Sequence, residues 1–247
     1  MAQAKKRFAF FSSKAYLGSS QLRSWLTIVA ENTQPLKGVR TAVLPPFPLL
    51  PMCLDALSPA AIEVGAQNCA AREDGKQTGE VRASLLAELG CSICCVGHSE
   101  RRSMFAESDQ IVAAKVKCVV AQDMTPLICV GDNEPLNSTK AATEISKQIR
   151  SALPEINSSS SGAIIAYEPI WAIGAQVPAS SAFVIDTISK AKEMLPSTLK
   201  DIHFIYGGTA GPGTFRDISS VVDGLFLGRR AHNPYEFLDV ANEIATV

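Results

Sequence analysis

The sequence predicts an α/β fold, a (β/α)8 barrel forming one domain over residues 1–247. Three observations carry this reading. Short apolar runs alternate with helix-period segments from end to end. Several runs are apolar on consecutive residues rather than alternate ones, the pattern of parallel strands covered on both faces. The length of 247 residues suits one such barrel, which commonly takes about 250.

The predicted strands, in order, are "RFAFF" (7–11), "RTAVLP" (40–45), "AIEVGA" (61–66), "CSICCVG" (91–97), "PLICVG" (126–131), "AIIAYE" (163–168), "IHFIYGG" (202–208) and "GLFLG" (224–228). Between them the period changes to that of a helix. Leu22, Trp25, Leu26 and Val29 fall at i, i+3, i+4 and i+7, one face of a helix. Val112, Val116, Val119 and Val120 do nearly the same, as do Ala142, Ile145 and Ile149, and Val184, Ile188, Ala191 and Leu195. "FPLLPMCLDAL" and "NPYEFLDVANEI" supply further helical faces. A doubly wound sheet is the alternative, but it would usually place a Gly-rich turn after its first strand, where this chain has "SSKAYLGSS". The polar run "NSSSSG" (157–162) reads as a surface connection and not a domain boundary.

Composition narrows the function. The chain is 47% apolar and 19% charged, which suits a soluble domain with a sizeable core. A net charge of −1 gives no general attraction to nucleic acid or anionic lipid. The apolar run in "AKKRFAFFSSKA" is too short for a signal peptide. No stretch reaches the roughly 18 apolar residues of a membrane span. Cys91 and Cys94 form a CxxC, but a single pair inside a strand reads as small buried hydrophobes in a reducing compartment. A cytoplasmic protein is expected. The pattern offers no metal cluster and no cofactor motif.

In a barrel of this kind, chemistry sits at the C-terminal ends of the strands. Lys14 comes after the first strand there, and Gln67 and Asn68 after the third. His98 and Glu100 come after the fourth, and Glu168 ends the sixth. Gly207-Gly208-Thr209 and Gly228-Arg229 stand at the ends of the last two. A carboxylate and a histidine on one rim can act as base and electrophile. Backbone N–H groups after strands seven and eight can hold a phosphate. These groups together suit proton abstraction beside the carbonyl of a small phosphorylated sugar. A phosphate-binding lyase or synthase is the alternative on the same barrel.

"VGHSERR" (96–102), "ESD" (107–109), "AYEPIWAIG" (166–174), "AQN" (66–68), "TGE" (78–80) and "IYGG" (205–208) resemble the signatures of the triosephosphate isomerase family, in its order and near its spacing. The resemblance covers the whole chain and implies a TIM barrel that needs no cofactor and no metal. It makes Glu168 the general base, His98 a neutral electrophile, Lys14 the cation that offsets substrate charge, and Glu100 the carboxylate that orients Lys14. It places Gly174, Thr209, Gly228 and Arg229 where backbone N–H groups hold phosphate. It makes Pro169-Ile170-Trp171 the first hinge of a lid running to about Ala179, whose closure expels water. The partners it implies are a small phosphorylated sugar and a second copy of the chain, a homodimer in which the loop 71–80 brings Thr78 near the other subunit's site.

The sequence departs from that family's usual pattern in places. "FSSK" puts Ser12 where an Asn is usual, and the lid tip reads "GAQVPA". Gly228-Arg229 replaces a Gly-Gly, and Phe226 stands where a leucine often flanks the base. "FSSK" and "VPA" are similar to the branch that isomerises four-carbon erythrulose phosphates. Three expectations stand: a triosephosphate isomerase acting on dihydroxyacetone phosphate and glyceraldehyde 3-phosphate, the same chemistry on an erythrulose phosphate, or a catalytically inactive relative that binds sugar phosphate.

Overall fold

The computed structural model describes residues 6–60, 62–157, 162–175, 178–197, 199 and 201–247. Eight parallel strands close into a barrel in chain order: β1 (Phe8–Ser12), β2 (Arg40–Leu44), β3 (Glu63–Ala66), β4 (Ile93–Val96), β5 (Thr125–Val130), β6 (Ala163–Tyr167), β7 (Ile202–Tyr206) and β8 (Gly224–Leu227). β8 pairs with β1, so among the described residues no sheet edge is left open. Helices connect the strands: α1 (Ser19–Glu31), α2 (Leu50–Leu57), α3 (Ala83–Leu89), α4 (Ser99–Met104), α5 (Asp109–Val120), α6 (Ser138–Ser151), α7 (Leu153–Asn157), α8 (Ser181–Met194), α9 (Thr214–Ile218) and α10 (Pro234–Thr246).

Period two along the strands sorts the core into two layers. Phe8, Phe10, Leu44, Cys95, Leu127 and Phe226 belong to the cluster inside the barrel. Ala9, Phe11, Val43, Ile128 and Ile165 point the other way and pack under the helices. The helical faces read from the sequence meet them: Leu22, Trp25, Leu26 and Val29 are buried on α1, and Val184, Ile188 and Ala191 on α8. Trp25 settles its one polar atom by donating from Nε1 to the carbonyl of Ala231 at 2.7 Å.

The strand ends shift by a residue or two from the sequence reading. β1 extends through Ser12, which pairs with Leu44, because the ladder continues past the apolar run. β6 stops at Tyr167, yet the N–H of Glu168 still donates to the carbonyl of Val130 at 2.8 Å. The first residue of "AIEVGA", most of "NSSSSG" and the Gln176-Val177 part of the lid tip lie outside the described residues.

All seven cysteines are free and buried. Burial pushes the Cys91 thiol up to about 11. That suits packing and not a reactive thiolate. Among the described residues no helix is long and apolar enough to cross a membrane, and no group of three or more His, Cys, Asp or Glu is placed to hold a metal ion.

Candidate active site

The inward face of each strand decides what stands at the barrel mouth. On β6, Ile164 and Ala166 point into the barrel, so the next inward position is Glu168. On β1, Phe8 and Phe10 point inward, and Ser12 is the next in that series. On β5, β7 and β8 the same step falls on Gly131, Gly207 and Gly228. Two side chains therefore enter a space that glycines keep open. A Cβ built on Gly207 would lie 2.9 Å from Cγ of Glu168, and one on Gly131 would collide with the Glu168 carbonyl oxygen. Glycine at both positions is what allows the carboxylate to sit where it does.

The result is a cleft of about 590 Å³ at the C-terminal ends of the strands. That volume suits a small ligand. All nine residues singled out from the sequence line it: Ser12, Lys14, His98, Glu100, Glu168, Gly174, Thr209, Gly228 and Arg229.

His98 and Glu168 face each other with Nε2 and Oε1 3.6 Å apart, too long for a strong hydrogen bond. Both are almost fully buried. His98 caps the N-terminus of α4, and its Nδ1 accepts from the N–H of Glu100 at 3.2 Å. An accepting Nδ1 places the ring proton on Nε2, so a neutral imidazole presents an N–H donor to the cleft. The other carboxylate oxygen of Glu168, Oε2, is buried with no protein hydrogen-bond partner. A buried carboxylate oxygen left unpaired is costly unless a ligand uses it.

Lys14 is fixed at three points. Its backbone takes a left-handed conformation, φ +48°. Its N–H donates to Ser12 Oγ at 3.3 Å, and its carbonyl accepts from Gln67 Nε2 at 3.0 Å. Its Nζ pairs with Glu100 Oε1 at 2.6 Å. Partial burial alone would raise the Glu100 pKa. The hydrogen bond from Lys14 and the charge of its ammonium outweigh it and hold the carboxyl below its usual range. Glu100 is thus a carboxylate at neutral pH and holds the ammonium at the cleft wall.

On the far side, the chain after Glu168 makes a 3-10 turn, Ile170–Ala172, behind Pro169. Trp171 donates from Nε1 to Asp132 Oδ2 at 2.7 Å, and Tyr167 donates its hydroxyl to Oδ1 at 2.9 Å. Burial raises the Asp132 pKa and these two bonds only partly counter it. Thr209 ties the next stretch down. Its Oγ1 donates to the Ala172 carbonyl at 3.0 Å and accepts from the Gly174 N–H at 3.4 Å. Gly174 itself has φ +74°, a conformation that glycine takes without strain.

Some functional contacts are not visible in the sequence. Gln67 stands at a strand end there, but its grip on Lys14 is not legible. Asp132, Tyr16 and Arg230 give no signal at all, although Tyr16 and Arg230 line the cleft. The motif-bearing ion pairs lie behind the site: Arg102 reaches Asp109 at 2.7 Å, and Arg101 and Lys115 both reach Glu107, at 2.7 and 2.5 Å. They brace the loop that carries His98.

The model of the family described as triosephosphate isomerase matches residues 8–244. The chain belongs to the triosephosphate isomerase family. It is 34% identical over 245 residues to an L-erythrulose-1-phosphate isomerase of Pectobacterium atrosepticum, covering 96% of this chain and 95% of that one. It is 35% identical over 217 residues to a triosephosphate isomerase of Hahella chejuensis, covering 85% and 87%. With a triosephosphate isomerase of Thermus thermophilus it shares 34% identity over 226 residues, covering 87% and 89%. As a member of the triosephosphate isomerase family the chain is an isomerase of phosphorylated sugars.

Proposed function

We propose that the chain moves a proton between two adjacent carbons of a small phosphorylated sugar through an enediolate, the established mechanism of triosephosphate isomerases. The observation that carries this is the His98–Glu168 pair: a neutral N–H donor and an unpaired carboxylate 3.6 Å apart, both buried in one cleft. Glu168 takes the proton from the carbon beside the carbonyl. The Nε2–H of His98 donates to the carbonyl oxygen as negative charge develops on it. The same carboxyl returns the proton to the neighbouring carbon, while a proton passes between the two oxygens. Lys14 offsets substrate charge, and Glu100 fixes the position of Lys14. Backbone N–H groups at Gly174, Gly228 and Arg229, with the region of Thr209, form the phosphate cradle. Closure of the 169–179 segment over the substrate excludes water and protects the enediolate.

Two substrates fit this chemistry. A triose phosphate needs nothing beyond the groups named. L-Erythrulose 1-phosphate adds a hydroxymethyl group to the carbon that loses its proton, and there the step moves the carbonyl between the two inner carbons. Ser12 favours this second reading. It reaches the cleft from β1 beside Lys14, and it is shorter than the family's usual Asn. The extra group has room there and a hydroxyl to meet. Phe226, inside the barrel and at the cleft floor, acts the other way if it fills the same space. Turnover of both substrates by the parent and by Ser12→Asn decides between them. For a tetrulose enzyme the Asn variant is expected to lose roughly 10–200-fold in relative kcat/KM for the four-carbon substrate. A parent that turns over glyceraldehyde 3-phosphate and ignores the tetrulose makes Ser12 a neutral change.

The chain is further proposed to act as a homodimer. The loop 71–80 is held by its own bonds, Gln77 Nε2 donating to the carbonyls of Arg72 and Asp74, and it presents an exposed Thr78. Exposed Met104 and Phe105 stand on the surface after the His98 loop. Sedimentation is expected to give twice the chain mass at micromolar concentration. A monomer there contradicts the proposal.

A further inference from the structure

The cleft holds three cations, and two of them are already engaged. Lys14 is paired with Glu100 at 2.6 Å. Arg230 reaches Glu236 at 3.5 Å, and its stem packs on Gly211. Arg229 lines the same cleft, is exposed, and has no acidic partner within 4 Å among the described residues. Its guanidinium reaches across the cleft toward Gly174. A Cβ built on Gly174 would lie 2.9 Å from Arg229 Nη2, so the side chain spans from the end of β8 to the backbone beyond β6. It lies against the stretch whose Gly174 N–H makes only a long 3.4 Å bond to Thr209. The His232 ring feels the same field: burial lowers its pKa, and the charges of Arg229 and Lys14 lower it further.

We infer that the Arg229 side chain is a clamp for the substrate's phosphate, adding a charge-paired, forked contact to a cradle otherwise built from backbone N–H groups. The inference rests on the phosphosugar reading of this cleft and adds to it a side chain where the family's usual residue has none. A planar guanidinium offers paired N–H donors that match two phosphate oxygens. A cation with no acidic partner, lining the same cleft as Gly174 and Gly228, is placed to take an anion. A dianion seated there would meet Gly174, Gly228 and the guanidinium together. It would thereby bridge the end of β8 and the backbone at Gly174 beyond β6. The contact is made in the ground state and the transition state alike, so its loss shows first in KM.

The test uses the full chain and inorganic phosphate as probe, with calorimetry for binding and steady-state kinetics for turnover. Arg229→Gly and Arg229→Gln are expected to weaken inorganic phosphate binding by about 10–100-fold, the range of a hydrogen-bonded charge contact. They are expected to raise KM by a similar factor and to lower kcat by less. The salt dependence of phosphate binding should become shallower. Because Arg229 is exposed, the thermal midpoints of the variants should stay near that of the parent. If both variants bind phosphate within about twofold of the parent, the clamp is wrong and the isomerase reading stands. If the parent itself binds no inorganic phosphate, the phosphosugar reading of the cleft falls, and the clamp with it.

Discussion

Glu168→Gln is expected to lower kcat by at least ~10³-fold, the upper part of the range for removing a general base. The variant keeps the shape of the side chain and removes its basicity. KM should change much less, because the phosphate cradle and Lys14 are untouched. The structure gives a reason to expect a stable variant. Oε2 has no protein partner to lose, and Oε1 stands 3.6 Å from His98. An amide in that position removes a buried charge without breaking a short bond. A kinetic profile that retains more than about a tenth of the parent kcat would assign the proton transfer to another group.

Lys14→Met is the second large effect. The change deletes the cation at the cleft wall and leaves Glu100 without its 2.6 Å partner. An unpaired carboxylate then faces a substrate that is itself an anion. Both binding and the stabilisation of the enediolate suffer, so kcat/KM should fall by about 10²–10³-fold, as when a preorganised electrostatic group is removed. The double variant Lys14→Met with Glu100→Gln removes the repulsion as well. It is expected to recover part of the loss in KM but little of the loss in kcat. Full recovery of kcat in the double variant would mean that Lys14 serves only to neutralise Glu100.

The barrel was legible because its strands and helices are set by periods that survive in one sequence. The consecutive apolar residues of "FAFF" and "AIIAY" become two-faced strands, with Phe10 inside and Phe11 outside. The catalytic candidates were legible for a related reason. In a barrel, the residues just past each strand face one mouth, so Lys14, His98 and Glu168 converge although they are far apart in the chain. Strand limits were read less well. Ser12 continues β1 and Gly207 falls outside β7, because the ladder of backbone bonds sets a strand's end and not the polarity of the side chain. The Lys14–Glu100 contact came with the family resemblance, but other contacts between loops from different strands left no trace. Gln67 holds Lys14 from β3, and Asp132 holds Trp171 from β5. Gln67 lies in the "AQN" motif and Asp132 in none, but in both cases the contact itself becomes visible only when the loops stand side by side. The side chain of Arg229 is a similar case: the family resemblance implies a role only for its backbone, and only the fold brings its guanidinium to Gly174.

If this cleft moves a proton between carbons of a phosphorylated sugar by way of Glu168, the solvent must mark the product. The most direct measurement is proton NMR of turnover in deuterated water, run separately with dihydroxyacetone phosphate and L-erythrulose 1-phosphate, on the parent and on Glu168→Gln. The predicted result is an isomerised product from at least one substrate, carrying deuterium at the carbon that accepts the proton, and no detectable labelling of that substrate by the Gln variant on the same time scale. Absence of isomerised product from both substrates with the parent, or labelling by the Gln variant at the parent's rate, would contradict it.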